Sequence, residues 1–301
     1  MKKNNLLPLP ANQRNDWRLS FGSKQIDLAE RTYLMGILNV TPDSFSDGGV
    51  YFSHDRAIQR GLEMVDEGAD FIDIGGESTR PGAQTISNQE ELDRVIPVVE
   101  ALSKQTDAVL SIDTRKSSVA REAVSAGARL VNDVSGFVFD PEIIRVAIRH
   151  DVPIVLMHSQ GTPETMQQNP KYAQVIDEIC DFFKQQIEFA TSQGLTQSQI
   201  ILDPGIGFGK TVQHNYQIIR NFSMFQNFEC VLLSGVSRKS FIGAVLNQDA
   251  SNRLMGTAAA VAASILNGAH IVRVHDVKEM KQVALIADAI KNADKLSESS
   301  L

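Results

Sequence analysis

The sequence is poor in cysteine and lacks any long hydrophobic run. These two features argue against a disulfide-rich protein and against a membrane-spanning protein. Its 301 residues include two cysteines, Cys180 and Cys230, which give no disulfide framework and are expected to be reduced core residues. No apolar run approaches the ~20 residues that a transmembrane helix needs. Prolines interrupt the first residues, which contain no apolar segment typical of a secretory signal. We therefore expect a cytoplasmic protein with no membrane partner.

The chain also has no excess of positive charge. Its formal net charge is -7, which argues against a nucleic-acid partner, because proteins that bind the phosphate backbone concentrate Lys and Arg. A small anionic ligand is still compatible with this charge, since a few Arg and Lys residues suffice to bind one phosphate group.

Several familiar site motifs are absent. No G-x-G-x-x-G fingerprint follows the first strand, so a dinucleotide site is not expected. There is no G-x-S-x-G nucleophile elbow, which disfavours covalent serine chemistry. Residues 204–211 end in Gly-Lys-Thr, but Pro204 stands where a Walker phosphate loop requires its first glycine. His158 and His275 lack the spacing and the companions of a zinc cluster.

The sequence does contain an eightfold alternation of apolar strands and amphipathic helices. The strands are predicted at residues 33–39, 71–74, 109–113, 130–134, 154–158, 200–203, 231–236 and 271–275. The helices are predicted at residues 55–67, 89–104, 117–126, 141–149, 172–193, 214–221, 241–246, 253–267 and 278–291. Strands that alternate with helices pair in parallel, and eight such units close into a barrel. We predict an α/β fold, a (β/α)8 TIM barrel over residues 31–295; an open doubly wound sheet is the alternative, which the even spacing disfavours.

The N-terminal residues 1–30 form a separate segment. Residues 1–15 are polar and rich in Pro and Asn, which indicates a loose tail. Residues 17–21 and 25–28 flank Gly22 and Ser23, and this pattern predicts a short β-hairpin. We expect the hairpin to plug the N-terminal end of the barrel, with Trp17 as a packing residue.

Acidic side chains lie at or just after several predicted strand ends: Asp73, Asp113, Asp203 and Asp276. A barrel interior cannot hold an unpaired carboxylate, so each must meet a partner or a ligand. For any single member a structural role is as good an interpretation, but convergence on one face favours a site. Together with Asn132, Asp113 and Asp203 suit a flat, nitrogen-rich heterocycle, because a carboxylate accepts two parallel N–H bonds.

Cationic residues occupy complementary positions. Arg80 follows the second strand, Lys239 follows the seventh, and Arg273 and His275 lie on the eighth. The loops after strands 7 and 8 of such barrels commonly bind a phosphate group. Arg273 is the most informative, because it alternates with apolar neighbours and a buried guanidinium needs an anion. For His275 alone, a core histidine is the simpler interpretation. Three further cations are interpreted as solvated loop charges: Arg115, Lys116 and Arg238.

A glycine-rich segment follows the sixth strand. Gly205, Gly207 and Gly209 are interpreted as positions where the backbone passes close to a flat ligand ring. Phe208 would cover that ring.

Taken in order, these segments resemble the dihydropteroate synthase family of the folate pathway. The matching segments are MGILNVTPDSFSDGG, DIGGESTRPGA, SIDTRK, NDVSG, GTPETMQ, ILDPGIGFGK, GVSRKSFIG and RVHDV. They cover residues 34–277, nearly the whole predicted barrel. The resemblance implies condensation of 6-hydroxymethyl-7,8-dihydropterin diphosphate with 4-aminobenzoate to 7,8-dihydropteroate and pyrophosphate. It also implies Mg²⁺ as cofactor, inhibition by sulfonamides, and a homodimer formed through the last helices, where residues 258–263 offer small side chains.

The resemblance also implies the residues of the site. The pterin slot would be formed by Asp73, Asp113, Asn132, Val134, Met157, Asp203, Gly207, Phe208, Gly235 and Lys239. The diphosphate site would be formed by Asn39, Thr79, Arg80, Arg273 and His275, with Asn39 also contacting Mg²⁺. The 4-aminobenzoate pocket would be formed by Phe45, Pro81, Ser237 and Lys239. The catalytic group would be Asp47, Asp113, Asp203, Lys239 and Arg273, in which the carboxylates favour the developing pterin cation and Arg273 favours the leaving diphosphate. Loops 41–51 and 78–86 would close over the site.

Two other functions remain open. A pterin-dependent methyltransferase would keep the barrel and the pterin slot but has less use for Arg80, Arg273 and His275. A non-catalytic pterin-binding barrel would have no need of the diphosphate ligands. Ser159 and the apolar residues 137–139 depart from the family pattern, which leaves the detail of those loops open.

Overall fold

The computed structural model describes residues 17–41, 49–78, 82–161, 165–167 and 169–295. Its strands are β1 Arg18–Phe21, β2 Lys24–Asp27, β3 Tyr33–Asn39, β4 Phe71–Gly75, β5 Val109–Asp113, β6 Leu130–Asp133, β7 Ile154–Met157, β8 Ile200–Asp203, β9 Val231–Ser234 and β10 Ile271–Val274. Its α-helices are α1 Gly49–Asp66, α2 Asn88–Leu102, α3 Ser117–Ala126, α4 Ile143–His150, α5 Val175–Ser192, α6 Val212–Arg220, α7 Ser240–Leu246, α8 Leu254–Leu266 and α9 Val277–Lys291. The tail predicted at residues 1–15 lies outside the described residues.

Strands β3 to β10 form a closed parallel barrel in the order β10-β3-β4-β5-β6-β7-β8-β9. The predicted (β/α)8 barrel is therefore confirmed, and the alternative of an open sheet is wrong, because β10 pairs with β3. Strands such as β3 are apolar almost throughout, since one face of each strand meets the barrel interior and the other meets the helices.

Helices α1 and α5 begin three or more residues away from their predicted starts. Helix α1 begins at Gly49 rather than at residue 55. Helix α5 begins at Val175 rather than at residue 172, because the Glu178 carboxylate accepts hydrogen bonds from the backbone N–H groups of Ala173 (2.6 Å) and Gln174 (3.0 Å). Such side-chain bonds hold the backbone in a non-helical turn, and hydrophobic periodicity does not reveal them.

Helix α4 begins at Ile143, so Pro141 does not lie in its first turn as predicted. The carboxylate of Asp140 accepts hydrogen bonds from the backbone N–H groups of Ser117 (2.8 Å) and Glu142 (3.2 Å). These bonds stabilise a turn in front of the helix and displace its start.

The N-terminal hairpin closes one end of the barrel, as predicted. Strands β1 and β2 pair in antiparallel fashion around Gly22, whose φ of 65° suits a two-residue turn. Four hairpin side chains pack with the interior of the barrel: Leu19, Phe21, Ile26 and Leu28. Trp17 packs on the ring of His270 with centroids 4.7 Å apart. The hairpin thus fills the end of the barrel opposite the site.

A second hydrophobic layer lies between the barrel and its helices. Outward-facing strand residues such as Leu34, Ile72 and Val272 pack there against helix residues such as Val98 and Phe183. This packing explains the apolar periodicity of the helices. None of the helices in the described residues is long and apolar enough to span a membrane.

Neighbouring strands place their polar C-terminal residues side by side. In the parallel register Asn39 pairs with Gly75, Gly75 with Asp113, and Asp113 with Asn132. Because all eight barrel strands run in the same direction, their polar C-terminal residues meet at one end of the barrel.

Candidate active site

An arginine and two aspartates form the centre of the site. The Arg273 guanidinium donates through Nε to Asp73 Oδ2 at 2.6 Å and through Nη2 to Asp113 Oδ2 at 2.7 Å. Asn132 Nδ2 donates to the same oxygen of Asp73 at 2.9 Å. Arg273 therefore points into the barrel, as its alternation with apolar neighbours predicts. The structure brings together residues that the sequence placed in separate pterin and diphosphate groups.

Burial shifts the titration of this centre towards neutral pH. It raises the pKa of Asp113 to about 7, against the opposing effect of Arg273. It lowers the pKa of Lys239 to about 8, against the opposing effect of Asp203. Groups poised near neutrality can respond to a charged ligand by small changes of protonation, which is typical of active sites.

Asp203 and Lys239 form the second half of the site. Asp203 Oδ1 accepts a hydrogen bond from Gly205 N at 2.7 Å, and burial raises the pKa of this carboxyl group. The Lys239 ammonium donates to the carbonyl oxygen of Ile206 and lies 4.3 Å from the ring centroid of Phe208. The lysine thus covers the loop that follows β8.

The glycines of the loop after β8 lie close to other groups of the protein. A Cβ at Gly205 would lie 1.8 Å from His158 O, and a Cβ at Gly209 would lie 2.4 Å from Gln160 O. A Cβ at Gly207 would lie 2.7 Å from Lys239 Cδ. The loop packs on its own protein neighbours, so these contacts alone require glycine. They neither demand nor exclude a ligand ring near Gly207.

We predict that Gly205→Ala destabilises the protein by about 3 kcal/mol or more, because left-handed strain and a backbone clash add. Gly194→Ala is the matched control: Gly194 also has a positive φ, but no atom lies within 4 Å of its Cβ position. Strain alone should cost this control about 1–2 kcal/mol. Urea unfolding of both variants measures the difference. Equal losses would show that the approach to His158 is less tight than described.

A buried lysine, Lys210, also contacts the loop after β8. Lys210 Nζ lies 2.9 Å from His158 Nδ1 and donates to the carbonyl oxygens of His158 (3.2 Å) and Phe208 (3.0 Å). Burial lowers the pKa of His158 to about 2, so its ring is neutral and Nδ1 can accept. Lys210 therefore joins the loop after β8 to the end of β7.

The predicted 4-aminobenzoate and diphosphate residues also meet. Ser237 Oγ lies 2.9 Å from His275 Nδ1 and accepts a hydrogen bond from His275 N at 3.1 Å. The next residue, Arg238, was interpreted as a solvated charge, and this was wrong in part, because its 40% exposed side chain also has an ion-pair partner. Its Nε donates to Asp276 Oδ2 at 2.9 Å, which gives the strand-end carboxylate Asp276 a structural partner.

The interpretation of Arg115 and Lys116 as solvated charges was also wrong. Lys116 Nζ contacts Glu91 Oε2 at 2.7 Å and Glu77 Oε2 at 2.6 Å, and Arg115 Nη2 contacts Glu77 Oε1 at 2.7 Å. All four side chains are largely or completely buried. Their partners lie in the loop after β4 and in α2, so no local sequence pattern signals the pairing.

A cavity of about 470 Å³ opens beside Asp113. Val134 and Phe208, both predicted pterin contacts, line it, and so do Ser159 and Phe139. The loop residues that depart from the family pattern therefore lie at the rim of this cavity. Met157 is buried at the end of β7, paired in register with Asp203. A Cβ at Gly235 would meet only Asp203 Oδ2 within 4 Å, at 3.8 Å, so space adjoins this carboxylate.

Some predicted site residues lie outside the described residues: Phe45, Asp47, Thr79, Arg80 and Pro81. Asn39 is described and ends β3 half-buried. Within the described ranges no group of three or more His, Cys, Asp or Glu side chains could hold a metal ion.

The fold and the site define a class: enzymes of the TIM-barrel type with ionisable groups at the C-terminal ends of the strands. The sequence model of the protein family described as pterin binding enzyme matches residues 35–275 of this chain. The chain belongs to this family.

Named relatives and solved structures agree with the family. The chain is 50% identical over 273 residues to a dihydropteroate synthase of Synechocystis, covering 90% of this chain and 94% of the relative. It resembles the Yersinia pestis dihydropteroate synthase in complex with a sulfonamide drug, with a TM-score of 0.86, 45% identity, and coverage of 91% and 99%. It also resembles the Clostridium difficile dihydropteroate synthase with pteroic acid, with a TM-score of 0.83, 45% identity, and coverage of 88% and 98%.

Proposed function

We infer that the chain is a dihydropteroate synthase, a transferase of folate biosynthesis that joins a pterin diphosphate to 4-aminobenzoate and releases pyrophosphate. The observation that carries this function is the Arg273 guanidinium held between Asp73 and Asp113, with Asp203 at the end of β8 and Lys239 in the loop after β9. A relative named for this activity matches nine-tenths of the chain at 50% identity.

The carboxylates of the site suit a nitrogen-rich ring. Asp203 uses Oδ1 for Gly205 N, while Oδ2 faces the space beside Gly235. We propose that Asp203 accepts N–H bonds from the pterin amine and its neighbouring ring nitrogen, and that Asn132 and Lys239 contact the rest of the heterocycle. Asp113 and Asp203 would then stabilise positive charge that develops on the ring as the diphosphate leaves.

The cationic side chains at the end of β10 suit a diphosphate leaving group. Arg273 carries a permanent charge at the end of β10, and His275 lies one residue beyond that strand beside Ser237. We propose that both stabilise the departing diphosphate and that Ser237 and Lys239 border the 4-aminobenzoate pocket. The amine of 4-aminobenzoate attacks the methylene carbon as a neutral, weakly basic group while the C–O bond to the diphosphate breaks. The arylammonium that forms is acidic and loses its proton to water, so the step needs no dedicated base.

We propose Mg²⁺ as the cofactor, held by the amide oxygen of Asn39 together with the substrate's phosphate oxygens. Mg²⁺ prefers oxygen ligands and commonly binds through one or two protein groups plus phosphates rather than through a protein cage. When bound, the ion would neutralise charge on the leaving group.

The test is pyrophosphate release from the pterin diphosphate with Mg²⁺, measured with and without 4-aminobenzoate. Release that requires 4-aminobenzoate and yields dihydropteroate is the expected result. Tight pterin binding without release would favour a binding barrel, and methyl transfer from a methylated pterin cofactor would favour the methyltransferase.

We further propose a homodimer through α8 and α9. These helices pack on each other and expose several apolar side chains: Met255, Leu285, Ile286 and Ile290. Ile286 is 64% exposed and Met255 is 79% exposed, which is costly for a face left in water. The Ile286→Asp variant should be monomeric by light scattering, whereas Phe189→Asp, at an exposed apolar residue of α5, should remain dimeric. A wild-type protein that is monomeric at micromolar concentration would contradict the proposal.

A further inference from the structure

Two cations directly follow the strand that carries Asp113. Arg115 Nη2 contacts Glu77 Oε1 at 2.7 Å, and Lys116 Nζ contacts Glu77 Oε2 at 2.6 Å and Glu91 Oε2 at 2.7 Å. We call these four residues the charge clamp. Their side chains expose between 1% and 12% of their surface, so the charges are strongly desolvated and depend on one another.

The charge clamp holds both ends of the segment between β4 and α2. At the near end Glu77 accepts from both cations. At the far end Arg115 Nη2 donates to Thr85 Oγ1 at 3.0 Å, and Lys116 Nζ donates to Ile86 O at 2.7 Å. Glu77 on one side and Thr85 and Ile86 on the other are therefore bound to the same two residues after β5.

The same clamp borders the active site. Glu77, Glu91, Arg115 and Asp113 line one cavity, so the charge clamp and the central carboxylate share a wall. Arg115 also stacks on the ring of Phe139 at 4.1 Å, which extends its contacts to the rim after β6.

We propose that Arg115 and Lys116 are positioning residues for the transfer reaction. They hold Glu77 on one side and Thr85 and Ile86 on the other against the end of β5, beside the cavity that Asp113 lines. The inference rests on the proposed function, because the segment between β4 and α2 contains residues 79–81, which were predicted to bind diphosphate and 4-aminobenzoate. Neither cation touches the reacting atoms in this role.

Glu77→Gln and Arg115→Gln are the variants of choice. Each leaves Lys116 paired with Glu91, whereas removing Lys116 would strand a buried carboxylate and endanger folding. We expect kcat/KM for 4-aminobenzoate to fall about 10- to 100-fold in both variants, as expected when a reacting group is misplaced by about 1 Å. Affinity for the unreactive alcohol 6-hydroxymethyl-7,8-dihydropterin, measured by calorimetry, should stay within about twofold, because Asp113, Asn132 and Asp203 are unchanged.

The matched control is Asp70→Asn. Asp70 is a similarly buried carboxylate that pairs with Arg31 at 2.6 Å, but it lies at the other end of the barrel. Its kinetics should match the wild type. Unchanged kinetics in both clamp variants, or an equal loss in Asp70→Asn, would overturn the inference. A wild-type protein that forms no dihydropteroate would instead remove the proposed function, and the inference with it.

Discussion

The Arg273→Ala variant is expected to lose about 10²- to 10³-fold in kcat/KM for the pterin diphosphate. Arg273 gives the leaving group a fixed positive charge, and it also neutralises Asp73 and Asp113. Without it, Asp73, which has no solvent exposure, faces Asp113 across a buried space. Asp113 would lose the cation that opposes the rise of its pKa, and a protonated Asp113 stabilises a developing cation less well. Steady-state rates of pyrophosphate release measure the loss.

Two comparisons separate this loss from unfolding. Arg273→Lys keeps the positive charge, but lysine has no planar guanidinium to contact two carboxylates at once. Its kcat/KM should therefore lie between those of the wild type and the alanine variant. Arg31→Ala removes an arginine from an ion pair at the opposite end of the barrel and should retain wild-type turnover. Turnover near the wild-type value in a folded Arg273→Ala protein would contradict the proposed role of Arg273 in the site.

The barrel was predictable from the sequence because its information is local. Strand β3 was predicted at its observed bounds, since seven consecutive residues form a mostly apolar run that ends at Asn39. The parallel order also predicted that the polar residues at the C-terminal ends of the strands lie at one end of the barrel. The register agrees, because Asp113 and Asn132 lie next to each other. Periodicity and chain direction were enough to decide these features.

The charge pairing was not predictable, because it depends on contacts distant in sequence. Arg115 and Glu77 are separated by 38 residues, and Arg273 and Asp73 by 200. A charged residue after a strand has the same local pattern whether it is solvated or buried against a distant partner. This explains why Arg115 was interpreted as a solvated charge, and why the contacts of Arg273 with Asp73 and Asp113 were not predicted.

The Asp203→Asn variant is expected to reduce affinity for the pterin by about 100-fold or more, because hydrogen bonds to a charged group contribute about 1.5–3 kcal/mol each. The asparagine oxygen would keep the bond from Gly205 N, which leaves its NH2 group facing the slot. Donors of the pterin would then meet a donor of the protein. Calorimetric titration with 6-hydroxymethyl-7,8-dihydropterin measures the change.

Asp133→Asn is the matched control for this prediction, because both aspartates are buried at strand ends. Asp133 accepts hydrogen bonds from Ser135 N (2.8 Å), Ser135 Oγ (2.7 Å) and Phe137 N (2.7 Å), so both of its oxygens serve the protein. Its replacement should cost about 1–3 kcal/mol of stability and leave the pterin affinity of the folded protein unchanged. The two variants thus distinguish a carboxylate that binds ligand from one that shapes a loop. Equal pterin affinity in both would remove Asp203 from the slot.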